Sequence, residues 1–403
     1  MGVVIIMNII IVARLPSLPI TDGYSYYLVN RIKYFKDKNY KIYFYTTTPM
    51  NSDSHDLLEL RRYCEELHSY KHNKLGRLLM VFFRFWLPVG VSIVLSRKMK
   101  KNIADCLSRN YIDVILVEYP FLLINIPNDS NVPVILTQHN LEFDKIKKIS
   151  KYHGIFKIFV LHESRKLKKY EEKHVKEKNV SLYTFISEKN KTEFEDIFGV
   201  NNTYLLPVGY NIHVRCQSVY QEGKIVFVGA MDAFQNKIAV EWFVNKIFPA
   251  IIKDYTNVKL YIIGKNPTNE ILSLSSENII VTGTVDKIDN YINDAHLYII
   301  PLVFGDGVKI KTLEAFATGN IVVSTSIGIE GISFIPGHEY ILADTENEFI
   351  ESCKHVLKCR RNYEYLAINA LKKVQELYSW DSILESYENK IKEIARKRAG
   401  SQI

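Results

Sequence analysis

The stretch that decides the fold runs from Leu297 to Gly331 and reads LYIIPLVFGDGVKIKTLEAFATGNIVVSTSIGIEG. Two apolar runs, 297–301 and 321–324, flank a glycine-containing loop and an amphipathic segment at 308–318. A short apolar run predicts a buried strand, and an apolar stripe with helical spacing predicts a helix. The order strand, loop, helix, strand is that of one βαβ unit in a parallel sheet.

The loop of this unit is suited to holding an anion. Gly305 and Gly307 let the backbone approach a ligand closely, and the free N–H groups at the start of the helix then face that ligand. A helix turns by about 100° per residue, which places Gly307, Lys311 and Glu314 on one face. We therefore expect Lys311 to point at a phosphate and Glu314 at a pair of hydroxyls, so that the unit forms half of a nucleotide-sugar site.

The composition is that of a globular chain long enough for two domains. Of the 403 residues, 47% are hydrophobic and 24% are charged. The formal net charge of +8 suits an anionic ligand or an anionic membrane face and is too small to indicate nucleic acid. Five cysteines without a C-x-x-C pair argue against disulfides and structural zinc, and they favour a reducing, cytoplasmic location.

Apolar runs alternate with amphipathic stretches along the whole chain, which predicts a parallel α/β architecture. The apolar start, residues 1–13, lacks a basic leader and is interpreted as the first buried strand rather than as a signal peptide. The expected strands lie at 9–13, 42–46, 114–118, 134–137, 183–187, 224–228, 259–263, 279–282, 297–301 and 321–324. The expected helices lie at 25–37, 163–178, 236–248, 308–318, 346–357, 363–377 and 381–398.

These elements form two runs of strand–helix repeats, separated by a stretch at 205–213 that contains Pro and Gly. Two such runs predict two doubly wound, Rossmann-like domains that face each other across a cleft. We expect an N-terminal acceptor-side domain at 1–208 and a donor domain at 209–377. The remaining residues, 378–403, are expected to form a closing helix that returns to the N-terminal domain and ends in a basic tail.

Segment 75–101 is apolar, aromatic and basic. Arg77, Arg84 and Pro88 interrupt it, so it contains no run of the roughly 20 apolar residues that a membrane span needs. The segment is either a peripheral contact with an anionic membrane surface or a pair of core helices with solvated basic ends. Both interpretations remain open at the level of sequence.

Several common kinds of site are excluded by the motifs that the sequence lacks. The chain has no G-x-x-x-x-G-K-[ST] loop, no H-E-x-x-H pair and no D-x-D pair. We therefore expect no metal and no cofactor. A departing diphosphate would instead be stabilised by backbone N–H groups, a helix dipole and lysine side chains.

Residues 297–331 resemble the donor-site signature of the retaining GT-B glycosyltransferases of the GT4 type, in which two acidic residues eight positions apart frame a glycine loop. Here the pair is Asp306 and Glu314. The resemblance implies that Glu314 holds the nucleotide ribose and that Asp306 contacts the transferred sugar as a catalytic residue. It also implies that the backbone of Gly307, Val308 and Lys309 meets the diphosphate and the sugar. Asp306 stands where the family usually has Glu.

The resemblance extends to the start of the predicted donor domain. FVGAMD at 227–232, followed by Asn236, is similar to the opening of that domain in sugar transferases of bacterial surface-polysaccharide pathways. It implies that Gly229 and Asn236 bind the donor. Ala230 replaces the usual Arg, so the positive charge that contacts the phosphate would come from Lys237, Lys309 or Lys311. The strand end VTGTV at 281–285 resembles the one near the nucleobase, which implies a donor contact at Val285.

In the N-terminal half, the loop that contains Asp22 and Gly23 follows the first strand and is similar to the family's glycine loop beside the acceptor. His139 follows a strand, as does the family's His in the cleft, and would orient the reacting sugar or help to move a proton. Glu118 ends a strand at the same edge and is expected to be a solvated strand end.

The resemblance implies a retaining, metal-independent hexosyltransferase that moves a sugar from a UDP- or GDP-sugar to an acceptor hydroxyl. The acceptor would be a lipid-linked oligosaccharide or another glycan, in the assembly of lipopolysaccharide O-antigen, capsule or exopolysaccharide. The enzyme would be cytoplasmic and peripheral on the inner face of the membrane. Two alternatives remain, a nucleotide-sugar 2-epimerase of the same fold and a non-catalytic GT-B partner subunit.

Overall fold

The computed structural model of the protein describes residues 7–18, 20, 22–49, 54–72, 81–150, 156–177, 180–210, 220–305 and 308–400. The chain divides into two compact units. Unit 1 comprises Met1–Pro207 and Leu384–Ile403, and unit 2 comprises Val208–Ile383. Each unit contains one parallel sheet with helical connections, so the predicted class of two parallel α/β domains is confirmed.

The sheet of unit 1 has seven strands: β1 (Asn8–Arg14), β2 (Lys41–Pro49), β3 (Glu66–His72), β4 (Val114–Glu118), β5 (Val134–Gln138), β6 (Leu182–Phe185) and β7 (Thr203–Leu205). Their order is β3-β2-β1-β4-β5-β6-β7, and neighbouring strands are parallel. Every residue of β4 and β5 is buried, as expected when helices cover both faces of a parallel sheet.

The helices of unit 1 within residues 1–207 are α1 (Gly23–Asp37), α2 (Ser54–Arg61), α3 (Val89–Val94), α4 (Arg97–Arg109), α5 (Glu142–Ile149), α6 (Lys157–Lys176) and α7 (Glu188–Phe198). A 3₁₀ turn, Pro120–Asn125, follows β4. Asp22 caps α1, because its carboxylate accepts the backbone N–H of Ser25 over 2.9 Å. The helix therefore begins two residues earlier than the predicted position 25.

The sheet of unit 2 has six strands: β8 (Lys224–Val228), β9 (Lys259–Ile263), β10 (Ile279–Gly283), β11 (Leu297–Ile300), β12 (Val322–Ser324) and β13 (Ile341–Leu342). Their order is β10-β9-β8-β11-β12-β13, and neighbouring strands are parallel. The βαβ unit predicted from the opening stretch is therefore β11 and β12 with the helix between them.

The helices of unit 2 are α8 (Phe234–Trp242), α9 (Phe248–Asp254), α10 (Asn269–Leu272), α11 (Asp289–Ile292), α12 (Ile310–Ala317), α13 (Ser326–Ile329), α14 (Glu346–Lys358) and α15 (Glu364–Leu377). A π turn, Phe243–Ile247, joins α8 to α9. A 3₁₀ turn, Arg360–Tyr363, precedes α15. Helix α12 begins at Ile310 rather than at 308, because Lys309 has an extended backbone with φ −99° and ψ 108°.

The last helix, α16 (Trp380–Gly400), begins in unit 2 and continues in unit 1. Within unit 1, Arg31 donates to the hydroxyl of Tyr387 over 3.2 Å, and the hydroxyl of Tyr34 donates to Glu388 over 2.7 Å. The hydroxyl of Tyr40 also donates to Glu388. Residues near the end of the chain therefore complete the packing around α1 and β2.

Three strands, β3, β7 and β13, were not predicted, and all three lie at the edges of their sheets. Edge strands have one neighbour and are commonly short or polar. β3 reads ELHSYKH, while β7 and β13 contain three and two residues. Helix α6 begins at Lys157 instead of 163, because its first turn is apolar and the prediction rested on the charged part that follows.

Each sheet contains one point at which the strand order reverses, between β1 and β4 in unit 1 and between β8 and β11 in unit 2. Ligands of open parallel sheets bind beside the carboxyl ends of the strands at this point. In the part of the chain that the structure describes, no helix has both the length and the apolar character that crossing a membrane requires.

Candidate functional site

Two glycines bring the backbones of β8 and β9 together at the reversal point of unit 2. A Cβ atom on Gly264 would lie 1.8 Å from the carbonyl oxygen of Gly229, so no larger residue fits at position 264. A Cβ atom on Gly229 would lie 2.6 Å from Nδ2 of Asn236. Glycine at both positions therefore lets the Asn236 side chain sit directly above the end of the sheet.

Asn236 connects the segment after β8 to helix α12. Its Nδ2 donates to the carbonyl of Ala230 over 2.9 Å, and its Oδ1 accepts from Nζ of Lys311 over 2.6 Å. The ammonium of Lys311 also lies 4.6 Å from the centre of the Phe227 ring. The structure thus brings together Gly229, Asn236 and Lys311, all of which were predicted to bind the donor.

The charge of Lys311 is held by neutral groups. Among the described residues, no carboxylate lies within ion-pair distance of its ammonium. Burial of the ammonium, reinforced by nearby Lys309, lowers the pKa of Lys311 to about 7. A half-buried ammonium with a lowered pKa is well suited to an anionic ligand. A bound phosphate would raise that pKa again, so that the lysine stays protonated, and would balance its charge.

Glu314 lies one turn further along α12 and is also half-buried. Burial raises the pKa of Glu314 to about 7, although the Tyr210 hydroxyl, which donates to its Oε1 over 3.3 Å, opposes this rise. Tyr210 is itself fixed, because its backbone N–H donates to the carbonyl of Tyr378 over 2.7 Å. Glu314 therefore presents a positioned carboxyl group that can exchange hydrogen bonds with ligand hydroxyls.

The residues between the glycine loop and α12 contact the two residues that follow α13. Nζ of Lys309 lies 3.4 Å from Oε2 of Glu330, and a Cβ atom on Gly331 would lie 2.8 Å from Cγ2 of Val308. Both Val308 and Lys309 are half-buried in the two positions just before α12. Two predicted site residues of this loop, Asp306 and Gly307, lie outside the residues that the structure describes.

The other two predicted donor residues are Lys237 and Val285. Nζ of Lys237 lies 3.4 Å from Glu270 and 3.9 Å from Glu241, so its charge is already balanced by carboxylates. Val285 is half-buried two residues past the end of β10. Of the three lysines expected to meet phosphate, Lys311 has the environment that best fits that role.

In unit 1, Glu118 is completely buried, so the expectation of a solvated strand end was wrong. Its Oε1 accepts from Arg31 over 2.5 Å and from Thr137 over 3.2 Å, and its Oε2 lies 2.9 Å from Nε2 of His139. Burial alone would raise the pKa of Glu118, but Arg31 and His139 outweigh it and lower that pKa to about 2. The ionised carboxylate therefore accepts a hydrogen bond from Nε2–H of His139 and fixes the tautomer of the ring.

Aromatic rings surround His139. The rings of Tyr119, Tyr27 and Tyr24 lie 4.6, 5.2 and 5.4 Å from its imidazole. Tyr119 follows β4 with φ +83°, a backbone conformation that costs a non-glycine residue about 1–3 kcal/mol. With that conformation, the Glu118 carboxylate and the ring of the next residue, Tyr119, both contact the imidazole of His139.

The two acceptor-side predictions fall at the start of α1. Asp22 is exposed and acts as the helix cap, and Gly23 is the first, exposed residue of the helix. Asp22 accepts from both the backbone and the hydroxyl of Ser25, the latter over 3.0 Å. The structure therefore gives Asp22 a structural role at the carboxyl edge of β1.

Several residues of these sites were not predicted from the sequence. Tyr210 contacts Glu314 on α12, and Glu330 contacts Lys309. Arg31 neutralises Glu118, and the rings of Phe234 and Phe304 meet edge to face with their centres 6.0 Å apart. The sequence offered a local signal for two of these residues, since Glu330 lies in the stretch 297–331 and Tyr210 lies in the predicted domain break at 205–213. The sequence offered no local signal for Arg31, because its partner Glu118 is 87 positions away.

Residues 222–359 match the family model described as glycosyl transferases group 1. A curated relative, an uncharacterized 44.6 kDa protein in the cps region of Klebsiella pneumoniae, is 30% identical over 174 residues. That match covers 40% of this chain and 44% of the relative. The chain spans about half the length of the curated relatives it matches.

Solved structures resemble the chain over nearly its whole length. A glycosyltransferase from Rickettsia africae is 14% identical with a TM-score of 0.66, and the match covers 96% of this chain and 98% of that one. The Anabaena protein HepE in complex with UDP is 13% identical with a TM-score of 0.64, covering 96% and 100%. At these identities the likeness shows the fold, which is GT-B. The group 1 domain at 222–359 and the GT-B fold together support a GT-B glycosyltransferase.

Proposed function

We propose that the chain transfers a sugar from a nucleoside diphosphate sugar to an acceptor hydroxyl. The observation that carries this proposal is the pair Lys311 and Glu314 on one helix at the reversal point of unit 2, each with a pKa near 7. An uncompensated cation suits a diphosphate, and a positioned carboxyl suits the hydroxyls of a ribose. UDP bound to a protein of similar fold is consistent with a UDP-sugar as donor.

In this proposal the leaving diphosphate is stabilised without a metal. Lys311, Lys309 and the N–H groups at the start of α12 face the developing negative charge. Asn236 fixes Lys311, and Glu330 fixes Lys309, so the charges are positioned before the ligand arrives. The geometry proposed for the sugar is front-face attack with retention, as in the GT4 type, with Asp306 contacting the sugar.

The acceptor side of the proposal belongs to unit 1. Because Glu118 accepts the hydrogen bond from Nε2–H of His139, Nδ1 of the neutral ring is left as an acceptor. His139 can thus orient a hydroxyl or pass on a proton. Asp22 and Gly23 mark the loop at the carboxyl end of β1. The proposed acceptor is a lipid-linked oligosaccharide or another surface glycan, and the proposed location is cytoplasmic.

A thermal-shift panel of UDP, GDP and their sugars would identify the donor, because a ligand that binds only the folded state raises its apparent stability. We expect Glu314→Ala to remain folded and to lose both the shift and the donor-dependent turnover. The matched control is Glu376→Ala, which removes an exposed carboxylate on α15 of the same unit. Full activity in Glu314→Ala would refute the proposed site. Conversion of the donor sugar without an acceptor would identify a 2-epimerase instead.

A further inference from the structure

Exposed aromatic side chains are concentrated in one short segment of unit 1. Phe82, Phe83, Phe85 and Trp86 are each between 64% and 73% exposed. The rings of Phe82 and Phe83 lie 5.5 Å apart, and those of Phe85 and Trp86 lie 5.6 Å apart. Four large rings in water are unusual on a folded surface and commonly mark a contact with a partner or a membrane.

A second group of exposed apolar side chains lies at the start of α6. Phe156, Ile158 and Phe159 are between 55% and 81% exposed. They precede the charged part of the helix. The first turn of α6 therefore presents apolar side chains to water in the same manner as residues 82–86.

Two hydrogen bonds place these segments side by side. Nζ of Lys166 on α6 donates to the carbonyl of Phe85 over 2.8 Å, and the backbone N–H of Val89 donates to Glu163 over 2.7 Å. Phe159 lies four positions before Glu163 and seven before Lys166, so all three occupy one face of the helix. We call residues 82–86 and 156–159 together the apolar patch.

The chain around the apolar patch is strongly cationic. Residues 81–104 contain five Lys or Arg and no Asp or Glu, and residues 145–162 contain five Lys and no Asp or Glu. On α6, Arg165 and Lys169 follow Ile158 by seven and eleven positions and are exposed on the same face. Exposed cations on α6, among them Arg165 and Lys169, therefore accompany the exposed apolar side chains at its start.

We propose that the apolar patch docks unit 1 onto an anionic lipid bilayer. The aromatic rings would enter the interfacial region while Arg165, Lys169 and the neighbouring cations contact the headgroups. A second copy of the chain fits this surface poorly, because like charges would meet around the apolar contact. Docking names a partner that the proposed transfer reaction does not require, and it stands even if that reaction fails.

Vesicle flotation with the full chain tests the docking. We expect the protein to float with vesicles of phosphatidylcholine and phosphatidylglycerol and to bind much less to vesicles of phosphatidylcholine alone. Trp86→Ser and Ile158→Ser should each weaken binding to the anionic vesicles by about tenfold. The matched control is Ile368→Ser, because Ile368 is an isoleucine of α15 with 66% exposure, and this variant should bind like the wild type.

A charge variant and a spectroscopic signal complete the test. Arg165→Gln combined with Lys169→Gln should weaken binding and reduce its dependence on salt. Trp86 should shift its fluorescence to shorter wavelength when anionic vesicles are added. The proposal is overturned if the wild type stays unbound or if Ile158→Ser binds as well as the wild type. It is equally overturned if sedimentation shows a dimer that Ile158→Ser dissociates, since the occupant would then be a second copy.

Discussion

The ammonium of Lys311 donates to the amide oxygen of Asn236 over 2.6 Å, and the amide nitrogen of Asn236 donates to the carbonyl of Ala230 over 2.9 Å. This contact joins the segments that follow β8 and β11, the two strands at the reversal point of unit 2. An amide positions the cation without neutralising it. The positive charge therefore remains for an anionic ligand.

Replacing that amide by a carboxylate tests this relationship. Asn236→Asp would pair Lys311 with a carboxylate and raise the pKa of Lys311. The new carboxylate would then compete with a diphosphate for the Lys311 ammonium. We expect nucleoside diphosphate sugar affinity to fall by about tenfold, as titration calorimetry can measure. Asn257→Asp adds the same charge at an exposed position of unit 2 and should leave the affinity unchanged. Equal losses in both variants would point to overall charge rather than to this contact.

Lys311→Met is expected to stabilise the ligand-free protein while abolishing donor binding. Because the pKa of Lys311 is lowered to about 7, the unfolded chain binds more protons than the folded one between about pH 7 and the usual lysine value. The free energy of unfolding of the wild type should therefore rise with pH across that window. Below the window Lys311 is fully protonated, and its buried charge destabilises the folded state most. At about pH 6 the variant should gain about 1–3 kcal/mol in the free energy of unfolding, measured by urea titration.

The control for that change is Lys372→Met, which removes a largely exposed ammonium on α15. It should alter stability very little and keep the pH dependence of the wild type. A Lys311→Met protein that is less stable than the wild type below about pH 7 would show that Lys311 stabilises the folded state, which would contradict this prediction.

Gly264→Ala should destabilise unit 2 far more than Gly283→Ala. Both glycines have positive φ, +148° and +67°, but a Cβ atom at 264 meets the carbonyl of Gly229 whereas one at 283 meets open space. We expect a loss of about 1–2 kcal/mol for Gly283→Ala, from backbone strain alone. For Gly264→Ala we expect about 3 kcal/mol or more, because the two strand ends must separate. Equal unfolding midpoints in urea would contradict the close contact.

Glu118→Gln is expected to leave the Arg31 guanidinium buried without a carboxylate. Breaking a buried ion pair by removing one partner costs about 3–5 kcal/mol. The pKa of Glu118 is lowered to about 2, so its contribution is fully present above the usual carboxyl pKa and is lost as pH falls toward 2. Urea titrations across this range should show a difference between variant and wild type that narrows in acid.

The surface pair Glu59 and Arg62 provides the comparison for Glu118. Glu59→Gln removes a partly exposed carboxylate 3.0 Å from its partner, and such pairs contribute about 0–1 kcal/mol. If Glu118→Gln costs no more than Glu59→Gln, the buried contacts of Glu118 with Arg31 and His139 do not stabilise unit 1 as described.

Much of the fold follows from local pattern. Strands buried on both faces, such as β4 and β8, each contain four consecutive apolar residues, whereas the edge strand β3 has only two apolar residues among seven and gave no such signal. The face shared by Lys311 and Glu314 follows from helical spacing. Their pKa values near 7 do not, because these depend on what the rest of unit 2 packs against them.

Contacts between distant positions account for what the sequence could not predict. Asn236 and Lys311 are 75 positions apart, and Arg31 and Glu118 are 87 apart. Each pair meets only because the strand order reverses between them in the sheet. Glu118 was expected to be solvated because nothing within several residues of it carries the compensating charge.

Helix α16 has a consequence for the order in which the chain can fold during synthesis. Tyr387 and Glu388 supply contacts to Arg31, Tyr34 and Tyr40, although more than 300 residues separate the two groups. Unit 2 lies entirely within that interval, so a ribosome completes it before the residues that finish unit 1 emerge. In nascent unit 1, Arg31 and the two tyrosines therefore lack their final partners until unit 2 and the segment that carries Tyr387 and Glu388 have been synthesised.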